Sequence, residues 1–137
     1  VQFLLDTNTC IAAMRRNPQV IQRLSLVSVG DCAISAITAY ELFTGVEKCA
    51  YPAPERAKVQ LLLATVVELP FADDAAREAA RIRAWLEVRG QMIGAYDILI
   101  AAHAISEQLV LVTHNTAEFG RVCGLTIDDW QVSRGTP

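Results

Sequence analysis

Aromatic residues are scarce in this 137-residue chain, 7% in all, and charged residues reach only 20%. Apolar residues take 53%, above the usual ~45–50%, which excludes a disordered chain and calls for a substantial core. Long apolar runs are missing as well: Ile98 to Ala102 falls far short of the ~18–20 residues a membrane span needs. No charged-then-apolar leader opens the sequence, so a cytoplasmic, non-membrane location is expected. Close cysteine pairs are absent too. Cys10, Cys32, Cys49 and Cys123 have no C-x-x-C spacing, which argues against zinc, redox and disulfide roles, and Cys32 reads as a small buried hydrophobe. At ~100–200 residues per domain the length allows one, taken as residues 1–132 with 133–137 as a short polar tail.

What is present alternates. Phe3-Leu4-Leu5 reads as a buried strand running straight into the helix-starting Asp6-Thr7-Asn8. A helix is expected over Cys10–Arg15, another over Val20–Val27, and a buried strand over Cys32–Ser35. Thr38 opens a helix to about Val46 with Ala39, Leu42, Phe43 and Val46 inward. Further elements are a helix over Glu55–Ala64, a strand over Val66–Leu69, and a long helix capped by Asp73 or Asp74. That helix runs to about Val88 with Ala76, Ala79, Ala80, Ile82 and Leu86 inward. An apolar helix over Asp97–Ser106, a central strand over Leu109–Val112, a short helix over Thr116–Val122 and an edge strand over Thr126–Val132 complete the chain. Strands alternating with helices imply an α/β fold, a mostly parallel sheet flanked by helices on both faces.

Ligands of such sheets gather at the carboxyl ends of the strands. Four acids map there: Asp6, Glu41, Asp97 and Glu118. Each has a plain structural alternative. Asp6 suits a helix cap, and Thr38-x-x-Glu41 matches a capping box. Glu118 alone reads as an exposed helix residue. Asp97 is harder to explain away, because Ile100, Ala101 and Ala104 share its helix face and offer no cation. Carboxylates gathered without Lys or Arg raise one another's pKa, and a hard divalent cation removes that penalty. Oxygen ligands without His or Cys suit Mg²⁺ or Mn²⁺, which activate water in phosphodiester hydrolysis. His103, among alanines, reads as a core residue rather than a general base, and His114 is not needed as one.

Four segments carry a resemblance. Leu4-Leu5-Asp6-Thr7-Asn8, Ser35-Ala36-Ile37-Thr38 with Glu41-Leu42, and Ile93-Gly94-Ala95-Tyr96-Asp97 with Ile100-Ala101-Ala102-His103-Ala104 are three of them. Leu111-Val112-Thr113-His114-Asn115 with Glu118-Phe119 is the fourth. In this order they resemble the PIN-domain ribonucleases, and more narrowly the VapC-type toxins of bacterial toxin–antitoxin pairs. The likeness runs from Val1 to Trp130 and includes the closing Asp129-Trp130.

That resemblance implies a PIN-like fold and an endoribonuclease that leaves 5′-phosphate and 3′-hydroxyl ends. It carries Asp6, Glu41 and Asp97 over as an acidic triad holding Mg²⁺ or Mn²⁺. Many PIN domains have Asp where Asn115 stands here; Glu118 is the nearest acid and matches the Asn-x-x-Glu-Phe variant. Thr7, Asn8, Thr113 and Asn115 are expected to bond the metal-holding groups. Members of this variant cut initiator tRNA in the anticodon stem-loop, which makes tRNA the expected substrate.

The formal charge of −3 conceals a near balance: setting the four site acids aside from the 15 leaves 11 against 12 basic residues. Arg15, Arg16, Lys48, Arg83 and Arg89 are candidate phosphate contacts. The resemblance also implies a homodimer and a VapB-type antitoxin, expected to inhibit by placing a basic side chain among the acids or by blocking RNA entry. Val20–Val27 and the Tyr40, Phe43, Tyr51 region are the candidate contact surfaces. Two other readings stay open: a non-catalytic PIN-like scaffold, and a phosphatase with Asp6 as nucleophile.

Overall fold

The computed structural model describes residues 1–28 and 30–132; the tail expected at 133–137 lies outside them. The elements are β1 (Phe3–Leu5), α1 (Thr7–Met14), α2 (Pro18–Ser25), β2 (Cys32–Ser35), α3 (Ala36–Lys48) and α4 (Pro52–Leu63). Then follow β3 (Val67–Leu69), α5 (Asp73–Arg89), α6 (Ala95–Ser106), β4 (Val110–Val112), α7 (Thr116–Phe119) and β5 (Ile127–Asp128). The strands form one sheet in the order β3-β2-β1-β4-β5, and every pairing is parallel. Among the described residues, no helix is long and apolar enough to cross a membrane.

Period-2 alternation along the central strands divides the core in two. Leu4, Ala33 and Leu111 face the side covered by α5, α6 and Phe119, where Ile82, Leu86, Ile98 and Ile100 are buried. Leu5, Cys32, Ile34 and Val112 face the opposite side, with Cys10, Val20, Leu42, Val46 and Val59. Helices therefore cover both faces, as a parallel sheet requires. Trp130 closes the second layer edge-on to Phe3, with ring centroids 5.2 Å apart and its indole N–H donating to Asp128.

Several boundaries differ from those the sequence suggested. Helix α1 starts at Thr7, because Asp6 caps it. Asn17 caps α2, whose first residue is Pro18. Helix α4 starts at Pro52 rather than Glu55: Pro52 and Pro54 lie in its first turn, where a missing N–H costs nothing. Ala72 holds the cap position of α5, with Asp73 and Asp74 in the first turn. The inward stripe of α5 is Ala75, Ala79, Ile82 and Leu86, so Ala76 and Ala80 are exposed. On α3, Phe43 is exposed rather than inward. The last strand shrinks to Ile127–Asp128, since the chain must turn at Asp129 to bury Trp130.

Leu4 sits fully buried on the middle strand. Leu4→Ala is expected to remove about 2–5 kcal/mol of stability, read from the urea unfolding midpoint.

Candidate active site

The chain builds outwards from β1 to β2 and β3, then returns to add β4 on the other side. That reversal leaves a crevice beyond the carboxyl ends of β1 and β4. Asp6 follows β1 and Thr113 follows β4, so the topology itself brings them together. Asp6 is 3% exposed. Its Oδ1 accepts the Thr9 backbone N–H at 2.8 Å, and its own N–H donates to the Val112 carbonyl at 3.0 Å. The Thr9 hydroxyl donates to that same carbonyl at 3.1 Å, and the Thr113 side chain bonds the Asp6 carboxyl. Asp6 is thus both helix cap and member of the acidic group.

Glu41 does not complete a capping box. Ser35 caps α3, its Oγ accepting the Ile37 N–H at 3.1 Å, and Thr38 is buried inside the helix. Glu41 is held across the crevice: the Thr7 hydroxyl donates to its Oε1 at 2.7 Å, with Thr38 Oγ1 3.2 Å from the same hydroxyl. Asp97 lies in the first turn of α6, which has no side-chain cap. A Cβ at Gly94 would stand 3.1 Å from Asp97 Oδ2, so the glycine makes room for the carboxylate. On α7, the Asn115 side-chain amide donates to Glu118 Oε2 at 3.0 Å, and the Asn115 N–H donates to Thr113 Oγ1 at 3.0 Å.

Asp97 feels the other three acids. Burial first, then the charges of Glu118, Asp6 and Glu41, push the Asp97 carboxyl up to about 6. Burial likewise raises Asp6, against the hydrogen bonds from Thr113 and Thr9. Among the described residues none of the four is ion-paired with Lys or Arg. Nor, as the side chains stand, is any group of three acidic, His or Cys residues gathered tightly enough to enclose a metal ion. Oxygen-only donors, one of them raised by the charges of the other three, fit a hard divalent ion that keeps several waters and takes one or two carboxylates directly.

The basic candidates divide. Arg15 and Lys48 line a cavity of about 400 Å³ that includes Glu41 and also holds Lys58. Arg16 instead lines an apolar cavity of about 420 Å³ between α1, α2 and α4. Arg83 donates to Glu87 at 2.9 Å, and Arg89 stacks 3.7 Å over Trp85, both on the exposed face of α5. Asn8 is exposed and makes no side-chain hydrogen bond among the described residues. His103 takes a core position, its Nδ1 2.8 Å from Ser35 Oγ, and burial lowers its pKa.

Two neighbours escaped the sequence reading. Thr9 fixes Asp6, and Asp129 adds its charge to the Asp6 environment. Asp129 follows β5 at the same edge of the sheet, so the strand-end rule that selects Asp6 could have selected it.

A parallel α/β sheet with carboxylates converging at its reversal point defines the class, and the comparisons agree. The family pattern described as PIN domain matches residues 3–125, and the chain belongs to the PIN-domain family. Within that family it is a VapC-type toxin. It is 38% identical over 130 residues to the tRNA(fMet)-specific endonuclease VapC of Salmonella typhimurium (strain LT2), covering 95% of this chain and 98% of that protein. It is 37% identical over 130 residues to Ribonuclease VapC2 of Haemophilus influenzae (strain Rd), with coverages of 95% and 98%. A chain of the DNA-bound VapBC crystal structure from Salmonella typhimurium superposes with a TM-score of 0.90 at 39% identity, covering 95% of this chain and 98% of that one.

The raised Asp97 carboxyl makes a signed prediction. Ionised Asp97 is disfavoured in the fold, so its penalty is absent below the unfolded value of 3.8, grows as pH rises to about 6, and is full above that. Because Asp97 is only half-buried, screening holds the penalty to the order of 1 kcal/mol. In metal-free protein, Asp97→Asn is expected to raise stability at neutral pH by that amount and to flatten the fall between these limits, measured by urea unfolding across a pH series.

Proposed function

We propose that this chain is a Mg²⁺- or Mn²⁺-dependent endoribonuclease acting as the toxin of a toxin–antitoxin pair. The observation that carries the reading is the convergence of Asp6, Glu41, Asp97 and Glu118 without a cationic partner, in a chain 38% identical to a tRNA-specific endonuclease. A bound divalent ion would supply Lewis acidity to the phosphate and a lowered pKa to the attacking water. Asp6 and Asp97 would hold it directly, and Glu41 and Glu118 would complete the set through water. The chain's own part is orientation: Thr113 and Thr9 fix Asp6, Thr7 fixes Glu41, and Asn115 fixes Glu118. Water adds across the P–O3′ bond, leaving a 5′-phosphate and a 3′-hydroxyl.

The substrate is RNA, and tRNA in particular, with the anticodon stem-loop of initiator tRNA as the leading target. Arg15 and Lys48 beside Glu41 provide cationic groups for a phosphate backbone. The solved VapBC structures support a VapB-type antitoxin as partner, with the apolar cavity between α1, α2 and α4 available for its chain. Tyr40 and Phe43, each about half exposed on α3, suit a second copy in a homodimer.

Purified protein with labelled tRNA and Mg²⁺ or Mn²⁺ should give cleavage that EDTA abolishes. Asp6→Asn and Asp97→Asn should each lower the rate by more than about 100-fold, beyond the range of groups that only orient a ligand, and Glu118→Gln by less. A folded protein with no EDTA-sensitive cleavage would instead be a binding scaffold. Gly94→Ala should leave the urea midpoint unchanged or slightly higher, since φ is −55° there, yet lower the rate about 10-fold or more by displacing Asp97. Unchanged turnover would show that the close approach of Gly94 to Asp97 has no catalytic role.

A further inference from the structure

His114 stands between two residues engaged with the acidic group: Thr113 bonds Asp6, and Asn115 donates to Glu118. Its side chain is 60% exposed, and its Nδ1 lies 2.9 Å from Oδ2 of Asp129, whose side chain is only 14% exposed. Asp129 is itself fixed, because its Oδ1 accepts the Gln131 N–H at 2.9 Å. It is also near enough to Asp6 to raise that carboxyl. An inner carboxylate therefore anchors one ring nitrogen and sets the ring's orientation, which leaves Nε2 free for a partner. This is the arrangement of a histidine held in place for something outside the protein.

The need for such a group is electrostatic. An RNA backbone approaching four carboxylates and Asp129 is repelled, and Arg15 and Lys48 flank only the Glu41 side. At the β4–β5 end, Arg23 is directed to Asp128 at 3.5 Å. Among the described residues, His114 is the group there that reaches outwards from the acids. In its imidazolium form both nitrogens donate, so one serves Asp129 while the other serves an anion.

We propose that His114, held by Asp129, is a substrate-contact residue whose Nε2–H donates to a non-bridging oxygen of the RNA phosphate next to the scissile one. The proposal rests on the endoribonuclease reading for its substrate and extends it to how the strand is gripped. His114 moves no proton in the reaction; it positions the backbone.

The test is binding and cleavage of one stem-loop RNA oligonucleotide by the full chain over a salt series at fixed pH. His114→Ala should weaken binding, read by fluorescence anisotropy, by about 10-fold, the loss of one charge-assisted hydrogen bond. KM should rise by a similar factor while kcat changes less. The dependence of log Kd on log salt should become shallower by about 0.7, one phosphate contact fewer. His114→Arg should restore both affinity and slope, which no loss of folding would allow. Equal affinity and equal slope in His114→Ala overturn the proposal and leave the endoribonuclease reading standing. Weakened binding by His114→Ala, with no cleavage by the unsubstituted chain, sinks that reading and keeps the contact.

Discussion

The structure is organised around a repulsion. Four carboxylates from four separate segments border one crevice, one of them almost wholly buried, and the charges of the other three make ionisation of Asp97 harder. Charge concentrated in this way opposes folding, and nothing in the hydrophobic layers requires it. The fold tolerates it because the sheet is strong enough elsewhere: Leu4, Leu5, Ile34, Leu111 and Val112 are all fully buried on the strands that lead there.

Asp6, Glu41 and Glu118 are aimed by short hydroxyl and amide contacts rather than by cations. Thr7, Thr9, Thr113 and Asn115 each engage one acid. A hydrogen bond to the charged form lowers a carboxyl's pKa without cancelling its charge, so the group stays available to a metal. Arginine in any of these places would have quieted the repulsion and removed its use. Helix starts assist as well, since Asp97 and Glu118 both lie in the first turn of a helix, where the backbone dipole favours negative charge.

The α/β class and the strand order along the chain were legible because β1, β2 and β4 are short apolar runs followed directly by helix-starting residues. Asp97 stood out because a lone acid on an alanine and isoleucine stripe has no cation on its helix face. The boundaries were less so. Thr38-x-x-Glu41 has the local pattern of a cap, yet Ser35 captures the free N–H first, and only the pairing of α1 with α3 shows that Thr7 is the partner of Glu41. The start of α4 was expected at Glu55 rather than Pro52, because a proline forbids a helix behind it and permits one ahead, and sequence alone does not say which side is helical. Asp129 stayed hidden since β5 is two residues long, too short to announce a strand end.

The order of the strands has a consequence for synthesis. The middle strand is the first one made, and its neighbour β4 comes more than a hundred residues later, with Asp97, Thr113 and Glu118 all in the final third of the chain. A ribosome that has produced everything through α5 has made Asp6 and Glu41 but neither of the acids that face them. Non-local pairing of this kind also closes slowly. The proposed catalytic centre therefore cannot assemble on a growing polypeptide, and the cell that makes this protein would be spared its chemistry until translation is all but finished.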